Sequence, residues 1–245
     1  MNVLDYISQE RALGHPLLAV LIDPEKVACV EALLPYIDLP DIVLIGGSTG
    51  SCSPEFIGKI RSHTTRPLVL FPGRIEQVAR GADALLFLSM LSSRCPEVLI
   101  TPHIQAACAI RKSGLECIAT GYILVDGGKK SSVEIATHSD PIPQSEVATI
   151  VSTAVAGQLL GKQLIYLEAG SGASTPVSGE IIRAVRSQVD VGLLVGGGIC
   201  SIEAMAVAFS AGADIVVIGN HFESHPEQVP LFMSYKNAYV QRQHR

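Results

Sequence analysis

Eight short apolar runs recur along the chain, each closed by Gly, Asp, Asn or Met and followed by a longer stretch of polar and apolar residues. They predict strands over Leu17–Asp23, Asp41–Gly47, Pro67–Gly73, Ala84–Met90, Cys117–Asp126, Gln163–Gly170, Gly192–Gly198 and Asp214–Asn220. Most are nearly continuous in Val, Ile and Leu rather than alternating, as strands covered on both faces require, so the sheet is expected to be parallel. Between them, helical patterning falls over Glu25–Leu34, Pro54–Ser62, Pro96–Lys112, Gln144–Leu160, Val177–Ser187 and Ser201–Ala211. Pro24, Pro54, Pro96 and Ser201 suit helix starts, and Gly114, Gly161 and Gly212 suit helix ends. The stretch Arg74–Gly81 is too short for a full crossover helix. Strict alternation of eight strands with helices predicts an α/β protein, a (β/α)8 TIM barrel with an irregular third crossover, formed by residues 1–245 as a single domain.

Composition narrows the class. Hydrophobic residues make up 48% of the 245 and charged residues 17%, enough apolar material for a large core. A net charge of −5 argues against nucleic acid, which would need an excess of lysine and arginine on one face. The six cysteines show no CxxC pair and read as small buried hydrophobes, and residues 1–14 do not resemble a secretory signal. A reducing cytoplasm is therefore the expected compartment. No apolar run approaches the roughly 20 residues a membrane crossing needs.

Barrel sites sit where strands end, so the strand-closing residues are the candidates for chemistry. Gly197 and Gly198 end the seventh strand, with Ser201 placed to cap the next helix, and Gly219 and Asn220 end the eighth. Glycines there let backbone N–H groups approach phosphate oxygens. The sixth strand closes on Tyr166, Leu167, Glu168, Ala169, Gly170, Ser171 and Gly172, a mixture suited to holding a polyol through Glu168 while Ser171 and Gly172 face its phosphate. Glu168 is also a candidate base. Asp23 and Ser48 offer hard oxygen ligands of the kind Mg²⁺ uses, although Asp23 is equally suited to capping the segment that starts at Pro24. Lys26 and Arg74 are placed to face a second phosphate, or solvent.

Taken together, LIDPEK, IGGS, LFPG, YLEAGSGA, VGGGI and AGADIVVIGN resemble the geranylgeranylglyceryl phosphate synthase family, in matching order from about Leu17 to Asn220. The resemblance implies a Mg²⁺-dependent prenyltransferase, joining a prenyl diphosphate, geranylgeranyl diphosphate in the first instance, to the 3-hydroxyl of sn-glycerol 1-phosphate. Diphosphate is released and an ether-lipid precursor formed. It implies Asp23 and Ser48 as Mg²⁺ ligands, Tyr166 to Gly172 as the glycerol phosphate clamp, and Gly197, Gly198, Gly219 and Asn220 as phosphate contacts. It further implies a homo-oligomer, a dimer or hexamer, and leaves room for transient contact with a membrane surface. The segment Thr137–Pro143 also looks like the family's, while Ser145 and Glu146 depart from its Asp-Lys.

Two other functions fit parts of the pattern. Asp23 and Asp126 end the first and fifth strands and would serve a phosphosugar isomerase of the histidine or tryptophan pathway type as an acid/base pair. A phosphate-binding barrel without catalysis would need only the glycine-rich endings. A Schiff-base aldolase is disfavoured because no lysine is expected near a strand's C-terminal end, Lys162 preceding the sixth strand.

Overall fold

The computed structural model of the protein describes residues 2–27, 29–47, 52–73 and 77–243. Eight parallel strands close into a barrel in sequence order: β1 (Leu17–Ile22), β2 (Ile42–Ile45), β3 (Leu68–Leu70), β4 (Ala84–Met90), β5 (Glu116–Leu124), β6 (Leu164–Glu168), β7 (Gly192–Gly196) and β8 (Ile215–Ile218). Closure is explicit in the register, where Leu17 pairs with Ile215 across β1 and β8. Each predicted strand is present, shorter at its C-terminal end except for β4, so most of the candidate residues lie on the turns just beyond the sheet.

Successive side chains alternate between two apolar layers, as the pleat dictates. Leu164 and Tyr166 of β6 point into the barrel with Leu44, Val69 and Leu194, while Ile165, Leu167 and the following Ala169 point out beneath the helices. Helix α1 (Val3–Ala12) buries Val3 and Ile7 against the barrel's inner layer, and its first N–H groups, at Val3 and Leu4, donate to the Glu116 carboxylate. A negative charge there satisfies orphan donors and complements the helix dipole.

The outer helices are α2 (Pro54–Arg61), α3 (Pro96–Leu99), α4 (Thr101–Ser113), α5 (Ser132–Thr137), α6 (Val147–Leu159), α7 (Gly179–Arg186), α8 (Ile202–Ser210), α9 (Asn220–Ser224) and α10 (Val229–Gln243). Two of the expected helices need correction. The helix expected over Glu25–Leu34 does not form; the chain makes a turn after Asp23 and then short 3-10 turns at Val30–Ala32 and Leu34–Tyr36. Asp23 closes a local turn instead, its carbonyl accepting the Lys26 and Val27 N–H groups and its Oδ1 the Glu25 N–H. The expected Pro96–Lys112 helix is broken at Ile100 (φ −127°), because Pro102 removes a bond and restarts the helix as α4. The third crossover, residues 71–83, contains no α-helix among its described residues, as its length implied. Nor are the cysteines uniformly interior: Cys52 is buried, but Cys29, Cys95, Cys108, Cys117 and Cys200 are exposed.

Helix α10 is fastened at the barrel's base by a buried ion pair, with Lys236 Nζ 2.9 Å from both oxygens of Asp41. Asp41 Oδ2 also accepts the Leu18 N–H, joining the start of β1 to the residue before β2. Removing one partner strands a buried charge, which typically costs about 3–5 kcal/mol. Lys236→Met is therefore expected to lower the unfolding free energy by about that amount in a urea titration. A loss below about 1 kcal/mol would show that water reaches Asp41 and that the pair does not anchor the helix.

Candidate active site at the C-terminal rim

The ends of β1, β6, β7 and β8 converge on a cleft of 160 Å³. Asp23, Tyr166, Glu168, Ser171, Gly172, Gly197, Gly198, Gly219 and Asn220, singled out at the strand ends, all line it. Leu167, Ala169 and Gly170 do not. Alternation turns Leu167 and Ala169 outward, and Gly170 instead donates its N–H to Glu168 Oε1 at 2.8 Å. Ser48 and Arg74 lie outside the described residues.

Glu168 is the chemical centre of the cleft. It is 7% exposed, and burial pushes its carboxyl above the ordinary value of 4.5, against smaller opposing effects from Tyr166, the Gly170 N–H and Lys26. The glycines of β7 make this burial possible: a Cβ on Gly196 would strike the Tyr166 hydroxyl, and one on Gly197 (φ 81°) would strike Glu168 Oε1 and the Ala169 and Gly170 nitrogens. VGGGI thus serves close approach to the β6 carboxylate, a role beyond the phosphate contact expected of it. The Tyr166 hydroxyl is near enough to lower the Glu168 pKa, yet its geometry falls short of a hydrogen bond, which leaves the phenol an unpaired buried donor. Its own pKa is raised well above 10.0 by burial first and the Glu168 charge second.

The rim offers donors. Among the described residues the N–H groups of Gly172, Gly198 and Gly219 meet no protein acceptor. Ser201 accepts the Ala204 N–H at 3.2 Å and opens α8 as expected, aligning a nine-residue helix behind Gly198. Ser171 Oγ donates to Asn220 Oδ1 at 2.8 Å, bridging the β6 and β8 turns.

On the opposite side, Asp23 sits against Gly47, where a Cβ would collide with its carboxylate. Its Oδ1 accepts the Glu25 N–H at 3.2 Å and its Oδ2 lies 3.3 Å from Lys26 Nζ. The capping role weighed for Asp23 is thus present, on a turn rather than a helix. Gln77, 1% exposed, braces this wall by accepting the Gly73 N–H and donating to the Gly47 carbonyl. Lys26 lines the cleft, correcting the expectation that no lysine lies near a strand end, but it is a partly exposed ammonium paired with a carboxylate rather than a desolvated amine. Lys162 lies elsewhere, its Nζ on Ser89 Oγ. Glu223, not singled out from sequence, also lines the cleft and accepts the Asp23 N–H at 2.7 Å; burial, chiefly, raises its pKa. No local signal marks it, because its partner is 200 residues away.

Asp126 is not part of this cleft. It is exposed and its Oδ1 accepts the Gly128 N–H, so the acid/base pair needed by the isomerase reading is not assembled. A second, largely apolar cavity of 260 Å³ adjoins the polar cleft, the two sharing Gly47, Phe71, Tyr122 and Val133. Leu86, Phe87, Met90, Val98 and Ala106 are among its walls. The Thr137–Pro143 segment gains a structural role here: Thr137 lines the cavity, Ser139 is bound to Ser93, and Ile142 extends the edge of β5 beside Val125.

A parallel barrel whose last three strand ends present free amides around a buried carboxylate, next to an apolar chamber, belongs to the class of phosphate-binding (β/α)8 barrels. Residues 8–234 match the PcrB family. The chain belongs to the PcrB family. It is 45% identical over 228 residues to the geranylgeranylglyceryl phosphate synthase of Zunongwangia profunda, covering 91% of this chain and 97% of that one. It is 37% identical over 234 residues to the protein of the same name from Korarchaeum cryptofilum, covering 93% and 96%. Among solved structures it resembles the (S)-3-O-geranylgeranylglyceryl phosphate synthase of Thermoplasma acidophilum in complex with substrate sn-glycerol-1-phosphate. That match has a TM-score of 0.88 and 28% identity, over 96% of this chain and 98% of the other.

Proposed function

We propose that the protein transfers a prenyl group from its diphosphate to the 3-hydroxyl of sn-glycerol 1-phosphate. The observation that carries this reading is the adjacency of the two chambers: a polar cleft ending on Glu168, and an apolar cavity sharing four of its wall residues. Each suits one half of the reaction, and kinship with geranylgeranylglyceryl phosphate synthases supports the same assignment.

In this reading the acceptor's phosphate is held by the amides of Gly172, Gly198 and Gly219 with Ser171 and Asn220, and its glycerol moiety reaches down to Glu168 and Tyr166. The prenyl chain lies in the apolar cavity. The allylic carbon–oxygen bond of the diphosphate breaks as the glycerol oxygen bonds to that carbon, and Glu168 takes the hydroxyl proton. A raised pKa makes Glu168 a better proton acceptor than an ordinary carboxylate once it is ionised. Leu167, Ala169 and Gly170 act through the main chain, by holding this turn.

Mg²⁺ fits the mouth. No group of three or more His, Cys, Asp or Glu side chains poised to hold a metal occurs among the described residues. Mg²⁺ nevertheless commonly uses one or two carboxylates, with substrate phosphates and water completing its shell, and Asp23 supplies such a carboxylate, with Ser48 as the second ligand. When bound it would neutralise charge on the departing diphosphate. A homo-oligomer and a cytoplasmic setting belong to the same reading. The exposed Ile100, Ile104, Leu159 and Leu160 offer apolar surface for self-association, and no helix among the described residues is long and apolar enough to cross a membrane.

Purified protein given labelled sn-glycerol 1-phosphate, Mg²⁺ and prenyl diphosphates of several lengths is expected to yield an organic-extractable product; absence of product at every length would defeat the reading. Because Glu168 must be ionised to accept a proton, kcat/KM should fall as pH drops through a value above 4.5. Glu168→Gln should lower kcat by about 10²-fold or more and abolish that limb. Unchanged kinetics would return the residue to a structural role. Ala106 lies on the wall of the apolar cavity, so Ala106→Phe should shift preference towards shorter prenyl diphosphates by about tenfold in relative kcat/KM, leaving the KM for glycerol phosphate within about twofold. Equal losses at all lengths would place the chain elsewhere.

A further inference from the structure

We propose that Lys26 is an exchangeable partner of Asp23: it holds the carboxylate while the cleft is empty and passes to the acceptor's phosphate when that group reaches Ser171 and Asn220, leaving Asp23 to a divalent cation. This rests on the function proposed above and adds an energetic link between the two ligands.

Lys26 Nζ stands between the two sides of the cleft, 3.3 Å from Asp23 Oδ2 and 3.2 Å from Ser171 Oγ. Ser171 is in turn bound to Asn220, so the ammonium already touches the rim where an anion would sit. Its side chain is 40% exposed, while that of Asp23 is 7% exposed. The lysine is therefore the member free to move, and a flexible stem carrying three rotatable donors suits the exchange. Asp23 does not depend on it for position. Its backbone N–H is held by Glu223 at 2.7 Å and its Oδ1 by the Glu25 N–H, so the carboxylate stays aimed into the mouth when Lys26 leaves.

Charge balance gives the exchange its direction. The described residues lining the cleft include three carboxylates, Asp23, Glu168 and Glu223, but Lys26 is the one lysine or arginine among them. A phosphate dianion entering this acidic mouth draws on the ammonium, and a cation at Asp23 then meets a carboxylate no longer neutralised by the lysine beside it. Each ligand should strengthen the other by the same factor, as linkage requires. Glu223 is a positioning residue in this arrangement.

The test is calorimetric titration of the whole protein with Mn²⁺ as probe, with and without saturating sn-glycerol 1-phosphate, for wild type and Lys26→Gln. Wild type should bind Mn²⁺ about tenfold more tightly with the phosphate present. In Lys26→Gln, affinity without the phosphate should rise to near the wild-type value with it, and affinity with the phosphate should stay within about twofold of wild type. A lysine acting only as a fixed neighbouring charge would shift both values together and overturn the exchange. Independent binding of the two ligands to wild type would overturn it while leaving the prenyltransferase reading intact, whereas failure of either ligand to bind this mouth would remove both.

Discussion

The rim is organised around a buried carboxylate, Glu168, that forms no ion pair among the described residues. Glu168 ends β6 inside the barrel, and an isolated charge there would be prohibitive without hydrogen bonds to its ionised form. The Gly170 N–H supplies one such bond, and it does so because the chain reverses at Gly170 (φ 97°), where a Cβ would run into Ser131. The space for the carboxylate is made from the neighbouring strand, by Gly196 and Gly197, so two strand endings are specified by one side chain. From that constraint follows the turn that carries Ser171 and Gly172 to the rim beside Asn220.

The barrel and the cleft were legible in the sequence to different degrees. Strands covered on both faces need continuous apolar runs, and such runs identified all eight with boundaries displaced by a few residues. Helices were less readable where a local turn or a proline intervened: Asp23 turns the chain where Glu25–Leu34 looked helical, and Pro102 interrupts a segment whose apolar spacing alone looked continuous. In YLEAGSG the motif drew attention as a block, yet the period of two already separates Tyr166 and Glu168, facing in, from Leu167 and Ala169, facing out. That distinction needed the pleat rather than the structure. Glu223 and Gln77 are different, since their roles arise from partners distant in sequence that closure of the barrel brings near.

Two chambers, one carrying Asp23, Lys26, Glu168 and Glu223 and the other walled chiefly by Leu, Phe, Met and Val, meet along a short wall. Phe71, Tyr122 and Tyr166 pack edge to face or tilted, with centroids 5.5–6.2 Å apart, beneath the polar cleft, and Phe71 and Tyr122 also face the apolar cavity. Such clusters bury large area with specific geometry and resist small shifts. Both chambers are thereby held in fixed relation to Glu168, which suits a reaction between two separately bound partners, where correct orientation replaces a bimolecular encounter.

The same wall bears on the charge that develops in the proposed transfer. As diphosphate departs, positive character grows on the allylic carbon, and that carbon must lie where the cavities join if its tail is in one and the acceptor in the other. Aromatic faces attract a cation without supplying a nucleophile to trap it. Tyr122 meets that condition closely, since burial first and the Glu168 charge second raise its pKa well above 10.0 and keep the phenol neutral. With water displaced by both ligands, Glu168 would be the basic group beside the acceptor hydroxyl, while the Asp23 carboxylate across the cleft is held by the Glu25 N–H and Lys26. Capture by glycerol is then favoured over loss to solvent by the placement of groups the fold already requires for packing.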